Sequence, residues 1–407
     1  MSRKPKKRAV RNQIQVHDED LENVIGRVYE TRFQGPKGNR QAIRLAILLV
    51  VLIFGSFLFC YDFLHNPITP ARYYTEVTGH FSDLWRLLTE GVDENAILSS
   101  FCTLLVAAMV GACMAVCGSV CQGIFHTPMA SPGMLGIQSG GMVAAVIWLF
   151  FFYNTDDVME FYTYESYNTY LDSLSLYDLY AQQIWMLGGC VIGAVIVIFI
   201  ATRAGRGKMS TVVLILVGSL SGAFSRLIVS LGQYYFTYVD SNTNRLYALM
   251  SVSMGTFANT YKPSHLLMMA IAILPCMIIM LLLAPRLNVL MFGDESARAM
   301  GMRVQLFRTV MLLLCIIPCA VILAFCGQIS FIGLLIPHFA RQMAGSDYQK
   351  QLPVSALLGA VVMVSVYGVA KCTGLTTSIN LVCGVVGGAL TFAIVLYYRR
   401  RRNADWA

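Results

Sequence analysis

Carboxylates are missing from every long apolar run in this chain of 407 residues. Only 13% of the residues are charged, against 57% hydrophobic and a mean hydropathy of +0.62. A soluble domain carries about 25% charged residues. A water-exposed globule is therefore excluded, and lipid is the solvent that fits. No nucleotide loop of the Gly-x-x-x-x-Gly-Lys-Ser/Thr type occurs, and Gly35-Pro36-Lys37-Gly38 lacks the spacing. If ATP drives this protein, another chain hydrolyses it. The six histidines (His17, His65, His80, His126, His265 and His338) are scattered, and none forms the helical His-Glu-x-x-His pair of a hydrolytic metal site. No short basic start runs directly into an apolar stretch, so no cleavable signal peptide is expected.

Twelve cysteines are present, and most lie inside apolar runs. No disulfide framework follows. Cys113, Cys117 and Cys121 form one stripe on a helix, expected to pack between helices rather than to hold a metal.

A membrane span needs about 20 mostly apolar residues. Ten candidates are present: 45–61, 96–120, 134–152, 184–202, 210–232, 264–284, 307–326, 329–345, 353–371 and 380–398. The sixth is expected to end at Pro285. Lys and Arg in short connections set orientation. The tail 1–44 holds eleven Lys or Arg against five acids, Arg203, Arg206 and Lys208 follow span four, and Arg399 to Arg402 follow span ten. Segment 153–183 has six acids, seven tyrosines and no Lys or Arg. About ten helices with both termini cytoplasmic satisfy this pattern, with the acidic loop 153–183 outside. The +8 net charge thus sits in flanking segments, and no nucleic-acid partner is expected. In the tail, Leu21, Val24, Ile25, Val28, Tyr29 and Phe33 recur at helical spacing. An amphipathic helix on the inner leaflet and a helix packed on a partner both fit.

Ion-coupled carriers usually bind their ion through a carboxylate at membrane depth, and none is present. Arg226, Arg308, His338 and Arg341 are the charged or titratable groups near that depth. Arg308 and Arg341 are expected to snorkel at the inner face, and Arg226 either snorkels or faces a wet path. Two Gly/Pro-interrupted segments, Pro132–Ile137 and Phe331–Pro337, occupy matching places in the two halves, as an inverted repeat would. In 286–305, Gly293 can end one helix, Asp294 suits the start of the next, and Gly301 ends that one. The expected result is a short, rigid cytoplasmic knob.

That segment, from Leu287-Asn288 through Gly293-Asp294-Glu295-Ser296-Ala297-Arg298-Ala299-Met300-Gly301, resembles the coupling loop of FecCD-type ABC permeases, which import ferric siderophores, haem and vitamin B12. Gly118-Ser119-Val120-Cys121-Gln122-Gly123 and Thr127-Pro128-Met129-Ala130-Ser131-Pro132-Gly133-Met134-Leu135-Gly136 resemble a second family motif. Gly327 to Arg341, with Gly333, Pro337 and His338, resembles a third, and Gly345-Ser346-Asp347 continues it. The resemblance spans about 95–398. It implies an all-α integral membrane permease paired as a homodimer or with a similar subunit, in a bacterial plasma or inner membrane. It also implies ABC ATPase subunits on the cytoplasmic face, which carry ATP and magnesium, and a substrate-binding protein outside. This chain itself would bind no cofactor and no metal. Residues 293–301 would take the coupling role, and a ferric siderophore is the expected cargo, with haem or a corrinoid as the alternative. An ion-coupled secondary carrier is the alternative from another class.

Three departures from the family stand out. Ser100-Phe101-Cys102-Thr103 replaces the usual arginine pair of span two, Thr377-Ser378-Ile379 replaces Glu-Leu-Pro, and no tryptophan precedes Gly255. Lys371, at the expected outer end of span nine, is then the candidate for docking the binding protein.

Overall fold

The structure is a computed structural model that describes residues 94–127, 130–153, 176–204, 211–240, 243–257, 260, 263–372, 378–385 and 387–388. The tail 1–44, the first span, the segment 62–93, Pro128, residues 154–175 and most of span ten lie outside the described residues.

The described chain is helical. Helix α1 (Glu94–Phe125) corresponds to span two. It is apolar all round, as a helix surrounded by other helices must be. Of an 18-residue stretch within Phe101–Phe125, 78% of the residues are buried, against 22–28% in three outer spans. α1 is therefore the axis of the bundle, and the outer helices turn apolar faces outward.

A 3-10 turn, Pro132–Leu135, follows α1, and α2 (Ile137–Phe151) comes next. The expected span 134–152 is thus divided, because Gly136 sits at φ +79 between the two pieces. α3 is Leu176–Ala204. It begins inside the segment 153–183 that the sequence reading leaves as a loop. Tyr180 of that segment is buried, with its ring 5.6 Å from His265 and 6.3 Å from Phe325.

α4 is Thr211–Tyr238. Its Leu216, Leu220, Phe224, Leu227, Leu231, Tyr234 and Tyr238 form one exposed apolar stripe. α5 (Thr243–Met254) occupies a stretch read from sequence as a connection, since its alternating polar residues hide the helical period. An apolar cleft of about 760 Å³ runs between α2, α3 and α4.

α6 is Pro263–Leu282, and α7 is Ala284–Leu290. Pro285 does not lead into a loop. It stands in the first turn of α7, where its missing N–H has no helical partner to lose. α8 (Asp294–Ala299) is the short helix between Gly293 and Gly301. α9 (Val304–Cys326), α10 (Ile332–Ala344) and α11 (Tyr348–Cys372) complete the labelled helices, and 379–385 opens the tenth run. α11 starts before Pro353, which interrupts the helix ladder without ending it.

Among the described residues six helices are long and apolar enough to cross a membrane, and α2 is a shorter apolar helix. Sulfur packs the centre. Cys113 and Cys117 lie 3.9 Å apart, Cys315 meets the Met280 thioether at 3.8 Å, and Cys319 meets Met114 at 3.9 Å. The three-cysteine stripe of α1 is buried packing.

Candidate functional site

Two sequence motifs more than 190 residues apart meet where α1 crosses α10. Pro337 carries no N–H, so the carbonyl of Gly333, four residues earlier, loses its helical donor. The Gly118 backbone packs directly against that carbonyl. A Cβ added at Gly118 would overlap the Gly333 carbonyl oxygen, so backbone meets backbone with no side chain between. Gln122, also buried, donates from Nε2 to the Leu334 carbonyl at 3.1 Å. Gln138 Nε2 reaches the Ile329 carbonyl at 3.3 Å. A Cβ on Gly333 would stand 3.3 Å from Pro132 Cδ, so the two segments suspected of duplication touch. The first is a single 3-10 turn, whereas the second opens a helix of 13 residues.

Of the family-motif residues, Gln122, Pro132, Gly333 and Pro337 converge here, and Gly133 stands against Gln138 Oε1. Gly136 packs instead on Val197 of α3. His338 lies further along α10 beside Gln342, 3.3 Å between their Nε2 atoms. Arg341 stands partly buried in the last turn of α10. Pro128 lies outside the described residues.

The α7–α9 region is built differently. Gly293 precedes α8 at φ +98, and Asp294 and Glu295 occupy the first turn, where carboxylates favour the helix dipole. The other end closes as a Schellman turn. Gly301 at φ +81 donates to Arg298 O at 2.9 Å, and Met302 donates to Ala297 O at 3.0 Å. Ala297 is buried, while Glu295, Ser296, Arg298, Ala299, Met300 and Gly301 are exposed.

Two polar ties hold the neighbourhood. Arg308 of α9 donates to both oxygens of Asp294, at 3.0 and 2.8 Å. Asn288 of α7 donates to Asp347 Oδ1 at 2.7 Å and accepts the Tyr348 amide at 2.8 Å. Sequence reasoning placed Arg308 as a snorkelling cation. Its partner stands 14 residues away across a turn, so spacing on one helix does not reveal the pair. Asn288 and Asp347 both fall in quoted motifs, but nothing in their spacing joins them. Arg226 is exposed on α4, with its guanidinium over Gly222. Lys371 belongs to the last turn of α11. Among the described residues no group of three or more His, Cys, Asp or Glu side chains is arranged to hold a metal ion.

A polytopic helical bundle, with motif glycines crossing at its axis and a short capped helix between two spans, defines a membrane transport subunit. The model of the FecCD transport family matches residues 69–399, and the chain belongs to that family. It is a multi-pass permease subunit of an ABC importer. The chain is 31% identical to the molybdate import system permease protein MolB of Haemophilus influenzae, over 73% of this chain and 79% of that one. It is 31% identical to the hemin transport system permease protein HmuU of Yersinia pestis, over 74% and 82%. It is 30% identical to the vitamin B12 import system permease protein BtuC of Salmonella typhi, over 72% and 79%. A solved structure described as an inward-facing conformation of a metal-chelate type ABC transporter matches with a TM-score of 0.58 and 25% identity. That match covers 86% of this chain and 99% of the other.

Proposed function

We propose that this permease imports a metal chelate of the ferric-siderophore class, driven by ATP hydrolysed on partner ATPase chains. The observation that carries the reading is the capped helix α8, exposed along most of its length and joined to a spanning helix by a bidentate ion pair. An exposed helix pinned to a span by its first residue suits a partner that pushes. The orientation follows from the positive-inside pattern, with α8 and both termini cytoplasmic. A second copy, or a similar permease, completes the pathway between subunits. The chelate cargo is supported by a relative whose cargo is an iron porphyrin, another whose cargo is a cobalt corrinoid, and the metal-chelate type of the structural neighbour. Haem or a corrinoid is the second reading, on the same relatives.

The test is uptake of iron-55 ferrichrome, hemin and cyanocobalamin by cells carrying the full transporter. Uptake of the iron chelate is expected to stop with orthovanadate or with loss of the ATPase, and to persist when a protonophore collapses the proton gradient. Loss with the protonophore alone points to an ion-coupled carrier and overturns the reading. Selective uptake of hemin or cyanocobalamin moves the cargo to the second reading.

Outside, we assign docking of the substrate-binding protein to Lys371, the cation nearest the end of α11. Exposed ion pairs contribute about 0–1 kcal/mol, so Lys371→Glu should weaken binding-protein affinity by no more than about fivefold at low salt. A variant with Asp156, Asp157, Glu160 and Glu165 neutralised should bind normally. If only that second variant weakens binding, the acidic segment docks a basic partner instead.

A further inference from the structure

We infer that Arg308 is the positioning residue of the coupling helix: its bidentate pair with Asp294 carries motion of α8 into α9 and is not part of the surface that grips the ATPase. The inference rests on the coupling role proposed above for α8.

The geometry separates gripping from transmitting. Glu295, Ser296, Arg298, Ala299 and Met300 are exposed and available to a partner. Asp294 is turned back on α9, with both oxygens engaged by one guanidinium. The two planar groups meet edge to edge, an arrangement that resists rotation as well as separation. The Arg308 side chain is only 14% exposed and that of Asp294 36%, so solvent screens the pair less than an open surface pair.

α8 is also flanked by glycines at φ +98 and φ +81, and a Cβ at either would meet nothing within 4 Å. Neither glycine wedges the helix in place. The chain on either side can pivot, and the position of α8 then depends on the ion pair and on buried Ala297. On the other side, α7 is fixed to the start of α11 by Asn288, which is bonded to Asp347 and to the Tyr348 amide. The pivot at Gly293 therefore lies between an anchored α7 and a clamped α8. Load applied to α8 passes to α9 through Arg308, and from there into the core that α9 shares with α1, α3 and α6.

His126, at the end of α1, is close enough to feel both partners of the pair. Burial, reinforced by Arg308, pushes its imidazole down, against a smaller pull from Asp294.

The experiment uses the whole complex of permease, ATPase and binding protein in proteoliposomes. It compares wild type, Arg308→Gln, Arg308→Lys and the charge exchange Asp294→Arg with Arg308→Asp. Three quantities are read: ATPase retained on purification, basal ATP hydrolysis, and the stimulation of hydrolysis by the binding protein. Arg308→Gln is expected to insert and to retain the ATPase at the wild-type level, while stimulation falls about tenfold, as a misplaced element far from the chemistry can cause. Arg308→Lys should keep part of the stimulation, since lysine supplies charge without the planar fork. The charge exchange should restore most of it. Retention of the ATPase beside lost stimulation is the readout that a merely structural arginine would not give, and recovery by exchange ties the loss to the ion pair. Undiminished stimulation in Arg308→Gln overturns the inference. So does loss of the ATPase from Arg308→Gln without recovery by exchange, because Arg308 then belongs to the gripping surface. A wild-type permease that retains no ATPase overturns the coupling role of α8 itself, a failure distinct from either.

Discussion

Gly118→Leu is expected to remove most folded permease from the membrane. The α1 backbone at Gly118 lies directly on the Gly333 carbonyl, and a side chain there has no direction to yield, because the obstacle is main chain on a helix fixed by Gln122 and Pro132. α10 would have to move away, giving up the Gln122 bond and the fit around Pro337. Overpacking of this kind costs about 3 kcal/mol at the upper end of its usual range, and membrane helices have little hydrophobic drive to hold them together against it. Detergent-solubilised monodisperse protein and its thermal midpoint measure the effect. Gly188→Leu is the control, since its added Cβ meets nothing within 4 Å. Normal yield and midpoint for Gly118→Leu would show that the α1–α10 crossing is not needed.

Asp294→Lys and Gly301→Trp are expected to lower uptake by more than about tenfold while the protein still inserts. The local costs are small. Charge reversal at a helix start is worth about 1 kcal/mol, and a side chain at φ +81 adds about 1–2 kcal/mol. Neither unfolds a large bundle. The two fail for different reasons. Lysine at 294 faces Arg308 and opens the clamp, whereas tryptophan at 301 leaves the clamp closed and alters the exposed face. Gly301→Ala carries the same backbone strain without the bulk and should keep most uptake. If both substitutions leave uptake of the chelate at the wild-type rate, α8 is not where ATP-driven motion enters.

The short helix between Gly293 and Gly301 was legible because its signals are local: a chain break by glycine, acids in the first turn, and a glycine where the last turn must reverse. The long spans were legible for the same reason, since continuous apolar composition needs no partner to interpret. Errors fell where neighbours decide. α5 carries Asn244, Arg245 and Ser251 through a helix whose one buried face is defined by α4 and α2. The extension of α3 to Leu176 depends on Tyr180 finding His265 and Phe325. Pro285, which by sequence alone suits a helix end, opens α7, because proline fits a first turn as well as it ends a last one.

By itself, then, the sequence determined that the chain lives in lipid, that it is helical, and that it carries three glycine- and proline-marked motifs, because hydropathy and backbone permission are properties of single residues and short runs. Only the tertiary structure decided what those motifs are for. It laid Gly118 on Gly333, turned Asp294 onto Arg308, and tied Asn288 to Asp347, pairs separated by 215, 14 and 59 residues. Each is a contact between groups whose chemistry is ordinary alone. A carboxylate and an amide gain a role only when packing sets a partner at bonding distance, a glycine only when another backbone lies against it, and no spacing along the chain encodes those distances.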